Sequence, residues 1–192
     1  MELNEKYSDY ISILKDRLDD FRFHHSIAVA NQSVILAERF GGDPEKAYVA
    51  GLLHDICKNL KSEEQLQFFA SSAIMLTDAE KFSPKVWHAI SGAYFLTENL
   101  KIKDNDIINA VRYHTTGRAG MSLLEKIIYI ADLTSVDRNY PDVDILRDII
   151  KTNLEEGLIY ALKFTITSLA TKEQSIHPDT ICAYNDLIGR RK

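Results

Sequence analysis

Six side chains in this sequence have the chemistry of metal ligands: His25, the adjacent pair His54-Asp55, His88, His114 and Asp132. Imidazole nitrogens and carboxylate oxygens together suit first-row transition metals. The company each residue keeps is unusual for a polar group. His54-Asp55 follows the apolar run Ala50-Gly51-Leu52-Leu53, and Asp132 closes Ile127-Ile128-Tyr129-Ile130-Ala131. An ionised aspartate in such a setting is costly to bury without a partner, and a cation supplies one. Neighbouring residues on a helix point about 100° apart, so His54 and Asp55 can serve one ion from adjacent directions. The two oxygens of Asp55 can also bridge two ions, and His88 and His114 extend the site from one metal to two.

Lys58 lies three and four residues beyond the pair, on the same helical face, where it is either a solvated helix end or a phosphate ligand. Gly51 lies one turn before the pair, where a missing side chain makes room for a ligand or for a packed helix. Cys57 falls off that face and reads as core. Only one of His24 and His25 can point inward. His24 and His177, the latter in a Pro-flanked loop, are set aside as non-ligands.

The elements that must position these residues read as helices almost throughout. Residues 8–20 carry Ile11, Leu14 and Leu18 on one face, and residues 25–40 repeat apolar positions at helical spacing up to Gly41-Gly42, a stop signal. Asp43-Pro44-Glu45 starts the next helix, with an N-cap and a first-turn proline, expected to run to about Lys58. Ser62-Glu63-Glu64-Gln65 resembles a cap before a short helix. Further segments are expected from Ser83-Pro84 to Leu100, from Asp104 to His114 with Gly117 after it, and from Ser122 to Leu133. The longest is placed at about 143–170, and a last one follows Pro178-Asp179. No useful length alternates as a strand would, so the fold expected is all-α, with about eight helices in one domain spanning residues 1–192.

The bulk properties bound the partners. The 192 residues suffice for one sizeable core. A net charge of −5 argues against general affinity for nucleic acid or an anionic membrane surface, though not against a small phosphorylated ligand in a local basic pocket. No apolar run reaches membrane-span length. The N-terminus lacks a signal-peptide pattern. Cys57 and Cys182 match no zinc spacing, so a reducing cytoplasmic home fits best. The apolar 143–170 stretch could serve a homodimer as well as a core.

The order His, His-Asp, Asp on helices resembles the HD superfamily of metal-dependent phosphohydrolases, with His25, His54-Asp55 and Asp132 in the signature positions. The likeness extends to the bacterial YqeK-type family through Arg22-Phe23-His24-His25-Ser26, Ala50 to Lys58, Trp87-His88-Ala89, Arg112 to Arg118 and Tyr129 to Asp132. The tail Pro178-Asp179-Thr180 with Tyr184-Asn185 belongs to it too, so it covers about residues 15–188. One stretch departs: where that family usually reads Glu-Pro ahead of an arginine, this chain has Ser135-Val136 before Asp137-Arg138.

The resemblance implies a single HD-type helical domain and symmetrical hydrolysis of diadenosine tetraphosphate into two ADP by a metal-activated hydroxide. It implies a di-iron centre, with manganese, cobalt or zinc as other transition metals of suitable type. His25, His54, Asp55 and Asp132 would hold the first ion. Asp55, His88 and His114 would hold the second, with Asp55 bridging. Arg22, Lys58, Thr115, Arg118 and Arg138 are the candidates for phosphate, and Tyr140 for a base. Asp55 and Lys58 are the catalytic candidates. Three alternatives share these ligands: an HD phosphohydrolase of another nucleotide (a nucleoside triphosphate, cyclic dinucleotide or alarmone), an oxygen-activating di-iron protein, and a non-enzymatic nucleotide-sensing module.

Overall fold

The computed structural model describes residues 5–191. Its secondary structure is helical, without strands among the described residues, as expected. Among the described residues, eleven complete α-helices and one 3-10 turn follow one another: α1 Ser8–Arg17, α2 Asp20–Phe40, α3 Pro44–Leu53, α4 Ser62–Ser71, α5 Asp78–Lys81, the turn Pro84–Val86, α6 Trp87–Glu98, α7 Asn105–Tyr113, α8 Leu123–Thr134, α9 Val143–Ile149, α10 Leu154–Thr171 and α11 Pro178–Gly189. Among the described residues, no helix is long and apolar enough to cross a membrane.

Local chemistry sets most boundaries. Asp19, Asp43, Asp104 and Ser122 each accept a backbone N–H in the first turn of the helix that follows. Gly41 ends α2 in the left-handed region at φ 76°, where a side chain would be strained. Four boundaries differ from the periodicity. Helix α3 stops at Leu53, and the chain continues through turns closed by bonds such as Lys58 N–H to Asp55 O at 2.8 Å. Helix α4 is capped one residue early, Glu64 accepting from the Lys61 N–H. The short α5 comes from a Thr77–Glu80 capping box. The 143–170 stretch breaks after Ile149, because Asn153 caps a new helix by accepting from Glu156 N–H. Gly157 there packs so tightly that an added Cβ would sit 2.4 Å from Ile150 Cγ2. The longest helix is therefore α2, with 21 residues.

Helices α3 and α8 form the centre of the bundle, with α2 and α7 packed against both. Helix α6 lies outside α7, α10 packs on α8, and α11 packs on α10. The main core gathers fully buried Leu14, Leu36, Leu52, Leu53, Leu96, Ile127, Ile128 and Ile130, each contributing about 1.5–3 kcal/mol by leaving water. A smaller cluster of Phe69, Trp87 and Ile90 sits under α4 and α6. Helix α11 also reaches back to the loop after α7. Asp186 Oδ2 accepts from Gly120 N–H at 3.0 Å, and Gly117, at φ 64°, leaves only enough room for Ala183.

Candidate metal centre

Five helices converge on one point near the middle of the bundle. His25 comes from the second turn of α2, and Ser26 and Val29 beside it are buried with it. His24 is exposed, its ring held by Asp20 O at 2.7 Å. His54 and Asp55 follow the last turn of α3. Gly51 brings that helix against α2, since a Cβ there would lie 2.6 Å from Ser33 Oγ and 2.9 Å from Ala30 Cα. The missing side chain thus serves helix packing, and no room is left for a ligand. His88 opens α6, His114 caps the end of α7, and Asp132 occupies the last turn of α8.

The six candidates are brought together. Metal-compatible atoms of His25, His54 and Asp55, of His54, His114 and Asp132, and of Asp55, His88 and His114 lie within 4.8 Å of one another in each set. The four imidazoles and Asp55 are each 2% exposed or less. Ring orientation is fixed from behind. His54 Nδ1–H donates to Gly51 O at 2.7 Å and His114 Nδ1–H to Val111 O at 2.8 Å. His25 Nδ1 meets Asp137 Oδ2 at 2.7 Å. At His54 and His114 such bonds place the proton on Nδ1 and turn the Nε2 lone pair toward the cluster, while His25 Nε2 also meets Asp132 Oδ1 at 3.0 Å.

What those bare atoms face decides whether a metal fits. His54 Nε2 lies 3.6 Å from Asp55 Oδ2 and 3.9 Å from Asp132 Oδ1. His114 Nε2 lies 3.4 Å from Asp55 Oδ1 and 3.1 Å from His88 Nε2. Lone pairs therefore confront lone pairs, and His54 Nε2 and Asp55 Oδ1 have no hydrogen-bond partner among the described residues. Buried polar atoms are ordinarily satisfied, and cations between these donors would satisfy them all at once.

The electrostatics agree. Burial holds His54 and His88 down to about 4, so both rings are neutral near pH 7, the form that binds metal. Burial pushes Asp55 and Asp132 up, but the surrounding imidazoles, and Arg138 at Asp132, outweigh it and hold both carboxyls well below the usual range. His25 is lowered by burial and raised more by its carboxylate neighbours, for a net upward shift. Burial lowers Lys58.

The cations expected at phosphate divide into two groups. Arg22 lies 3.4 Å from Asp55 Oδ2, Lys58 Nζ lies 3.5 Å from Asp55 Oδ1 and 2.9 Å from His88 Nε2, and Arg138 pairs with Asp132 and reaches His25 Nε2 at 3.1 Å. These three border the cluster. Arg118 does not reach toward it: its guanidinium grips buried Glu125 at 2.6 and 3.2 Å and lies over the Tyr113 ring. Tyr140 is half-buried, donates to Leu133 O at 3.0 Å and packs on Phe164. Thr115 is half-buried, with an unpartnered hydroxyl. Asp137 escaped the sequence reading, although it supports His25. Its only sequence signal is its place beside Arg138 in the stretch that departs from the family pattern.

Comparison with known proteins places this geometry. The HD-domain family profile matches residues 22–137, a span that contains all six candidate ligands. A Bacillus subtilis protein named symmetrical bis(5'-nucleosyl)-tetraphosphatase is 40% identical over 93% of this chain and 96% of its own length. A Halalkalibacterium halodurans protein of the same name is 36% identical over 95% and 97%. A Clostridium acetobutylicum crystal structure, described as a predicted HD superfamily hydrolase involved in NAD metabolism, superposes with a TM-score of 0.93 at 36% identity, covering 96% of this chain and 97% of that one. By profile, sequence and fold, the chain belongs to the HD-domain family, in its YqeK-type branch, alongside the proteins named symmetrical bis(5'-nucleosyl)-tetraphosphatases.

Proposed function

We propose that this chain is a cytoplasmic hydrolase that cuts diadenosine tetraphosphate at its centre, giving two ADP. The observation that carries the reading is the buried cluster of four imidazoles and two carboxylates whose inward atoms face one another, bordered by Arg22, Lys58 and Arg138. Relatives matched over nearly their whole length bear the name of that activity. Two transition-metal ions, iron as the expected pair and manganese, cobalt or zinc compatible with the same donors, would neutralise phosphate charge and acidify water to supply hydroxide near neutral pH.

The roles of the protein groups follow from their positions. His25, His54, Asp55 and Asp132 would hold one ion, and Asp55, His88 and His114 the other. Asp55 belongs to a group with His25 and His54 and to one with His88 and His114, so its carboxylate could serve both ions. Lys58 and Arg22 approach Asp55 from the side of His88 and α2 and would donate to the phosphate oxygens on which charge grows. Arg138 is tied to Asp132 through its Nε–H to the backbone carbonyl at 2.6 Å, so it would offer a fixed donor beside Asp132 and His25. Attack at an inner phosphorus makes ADP the leaving group, and the other half leaves as ADP too.

The test is product analysis. Metal-loaded protein and diadenosine tetraphosphate should give ADP as the sole nucleotide on chromatography. ATP with AMP would overturn symmetrical cleavage, and no turnover with iron, manganese or cobalt would overturn the reaction.

A further inference from the structure

Beside the metal centre lies a cavity of about 480 Å³, within the roughly 300–1,000 Å³ typical of small-molecule sites. Its walls are the Pro84–Val86 turn, Thr115 and Thr116 just after His114, and the stretch from Thr165 and Leu169 on α10 to His177. A second space of about 280 Å³ is bordered by Lys58 and His88 of the centre, and Pro84 and Lys85 border both spaces. A ligand whose phosphates lie at Lys58 and His88 therefore has the larger cavity next to it.

Three buried polar atoms without a hydrogen-bond partner among the described residues belong to this wall: Ser83 Oγ, Thr115 Oγ1 and His177 Nε2. His177 is only 8% exposed. Its Nδ1 is already used, accepting from Asp179 N–H at 3.2 Å as the cap of α11. A neutral imidazole that accepts at Nδ1 carries its proton on Nε2, so the unpartnered edge of this ring is a hydrogen-bond donor of fixed tautomer. Pro84, Val86 and Leu169 supply apolar surface between these polar points, and Lys85 is the only lysine or arginine in the wall. A phosphate would call for more positive charge. A flat ring with apolar faces, polar edges and sugar hydroxyls fits this mixture.

We propose that the cavity is the nucleoside pocket for one half of the dinucleotide, with His177 donating from Nε2 and the Thr115 and Ser83 hydroxyls completing the polar contacts. This deepens the reading of the metal centre and rests on it for the phosphates. The residue looked like a loop histidine because its visible duty, capping a helix, is what loop residues ahead of a proline commonly do.

The experiment uses metal-loaded protein and two calorimetric probes, ADP and inorganic pyrophosphate, with diadenosine tetraphosphate turnover alongside. His177→Asn keeps a capping acceptor for α11 and removes the Nε2 donor. Thr115→Val removes a hydroxyl at nearly constant volume. Each should weaken ADP binding about tenfold, the scale of one lost hydrogen bond, while pyrophosphate affinity, metal content and melting temperature stay put. KM should rise with kcat retained. Unchanged ADP affinity would overturn the pocket, as would wild-type protein that binds no ADP. So would equal loss of ADP and pyrophosphate, which would place these side chains on the phosphates. Wild type that binds ADP at this wall but leaves diadenosine tetraphosphate intact would uphold the pocket and sink the reaction. Turnover with unaltered variants would do the reverse.

Discussion

His54 is held at Nδ1 by Gly51 O and has no hydrogen-bond partner at Nε2 among the described residues, and His114 and His25 are likewise held from behind through Nδ1. For His25 the rear contact is a carboxylate, which orients the ring and makes Nε2 a better donor. Replacing Asp137 with Ala should therefore weaken metal binding about 10–100-fold without removing a ligand. Metal titration against a competing chelator reads this directly, and unaltered affinity would assign Asp137 to the loop alone. The six candidate ligands, which the fold brings together, were legible because each is a polar residue stranded in an apolar run or keyed to a family motif. Asp137 was not, since an aspartate in a polar loop has nothing to contradict. Arg118 was misjudged for a related reason. Its partner Glu125 looks like one more charged helix residue until the fold buries it to 2% exposure.

Elements carry the next level of precision. Helices α2 and α3 touch where Gly51 meets Ala30 and Ser33, and these helices bear His25 and His54. Gly51→Ala must push the two apart, for the obstacle at 2.9 Å is backbone. A loss of about 1–3 kcal/mol in urea unfolding is expected, together with weaker metal retention. Full stability in the variant would mean the helices can shift freely. Glu80 ties α5 to α7. It accepts from Thr77 N–H and Thr77 Oγ1–H and pairs with Arg112. Burial pushes its carboxyl up, but those partners prevail and hold it below the usual 4.5. A folded-state value below the unfolded one means stability present above pH 4.5 and lost as pH falls through the folded-state value. Glu80→Gln should therefore cost about 1–3 kcal/mol at pH 7. Its gap to wild type should close in acid, and a gap constant from pH 7 to 3 would refute the ionic account. Helix existence was readable from periodicity, whereas the break at 150–153 was not. Ile150 and Lys151 suit a helix well, and only the contact of Gly157 with Ile150 and the Asn153 cap end it. Helix α5, at four residues, is too short to display a period.

Across the whole molecule the candidate ligands span residues 25 to 132 and come from α2, the end of α3, α6, α7 and α8. Metal bound there would cross-link most of the bundle, and its binding energy would add to folding stability. At hundredfold saturation this amounts to about 2.7 kcal/mol, and about 2–4 °C per kcal/mol in a chain this size gives a melting shift of about 5–10 °C. Chelation should lower the melting temperature by that amount, and returning metal should restore it. Asp55→Ala, melting with and without chelator, should show no shift. A wild-type melting curve indifferent to chelator would contradict a five-helix site. The all-α architecture was fully legible in the sequence, since no segment alternates. The way α10 folds back over α8, with α11 packed on α10, was not, because it depends on contacts between residues far apart in the chain.

The contact of Asp186 with Gly120, and of Ala183 with Gly117, has a consequence for the order of events during translation. All six candidate ligands leave the ribosome before the helix that buttresses the loop behind His114. A nascent chain therefore carries every one of those side chains while that loop still lacks its support. In the proposed arrangement, competence to hold nucleotide as well as metal would arise only when residues 177–189 have emerged and docked.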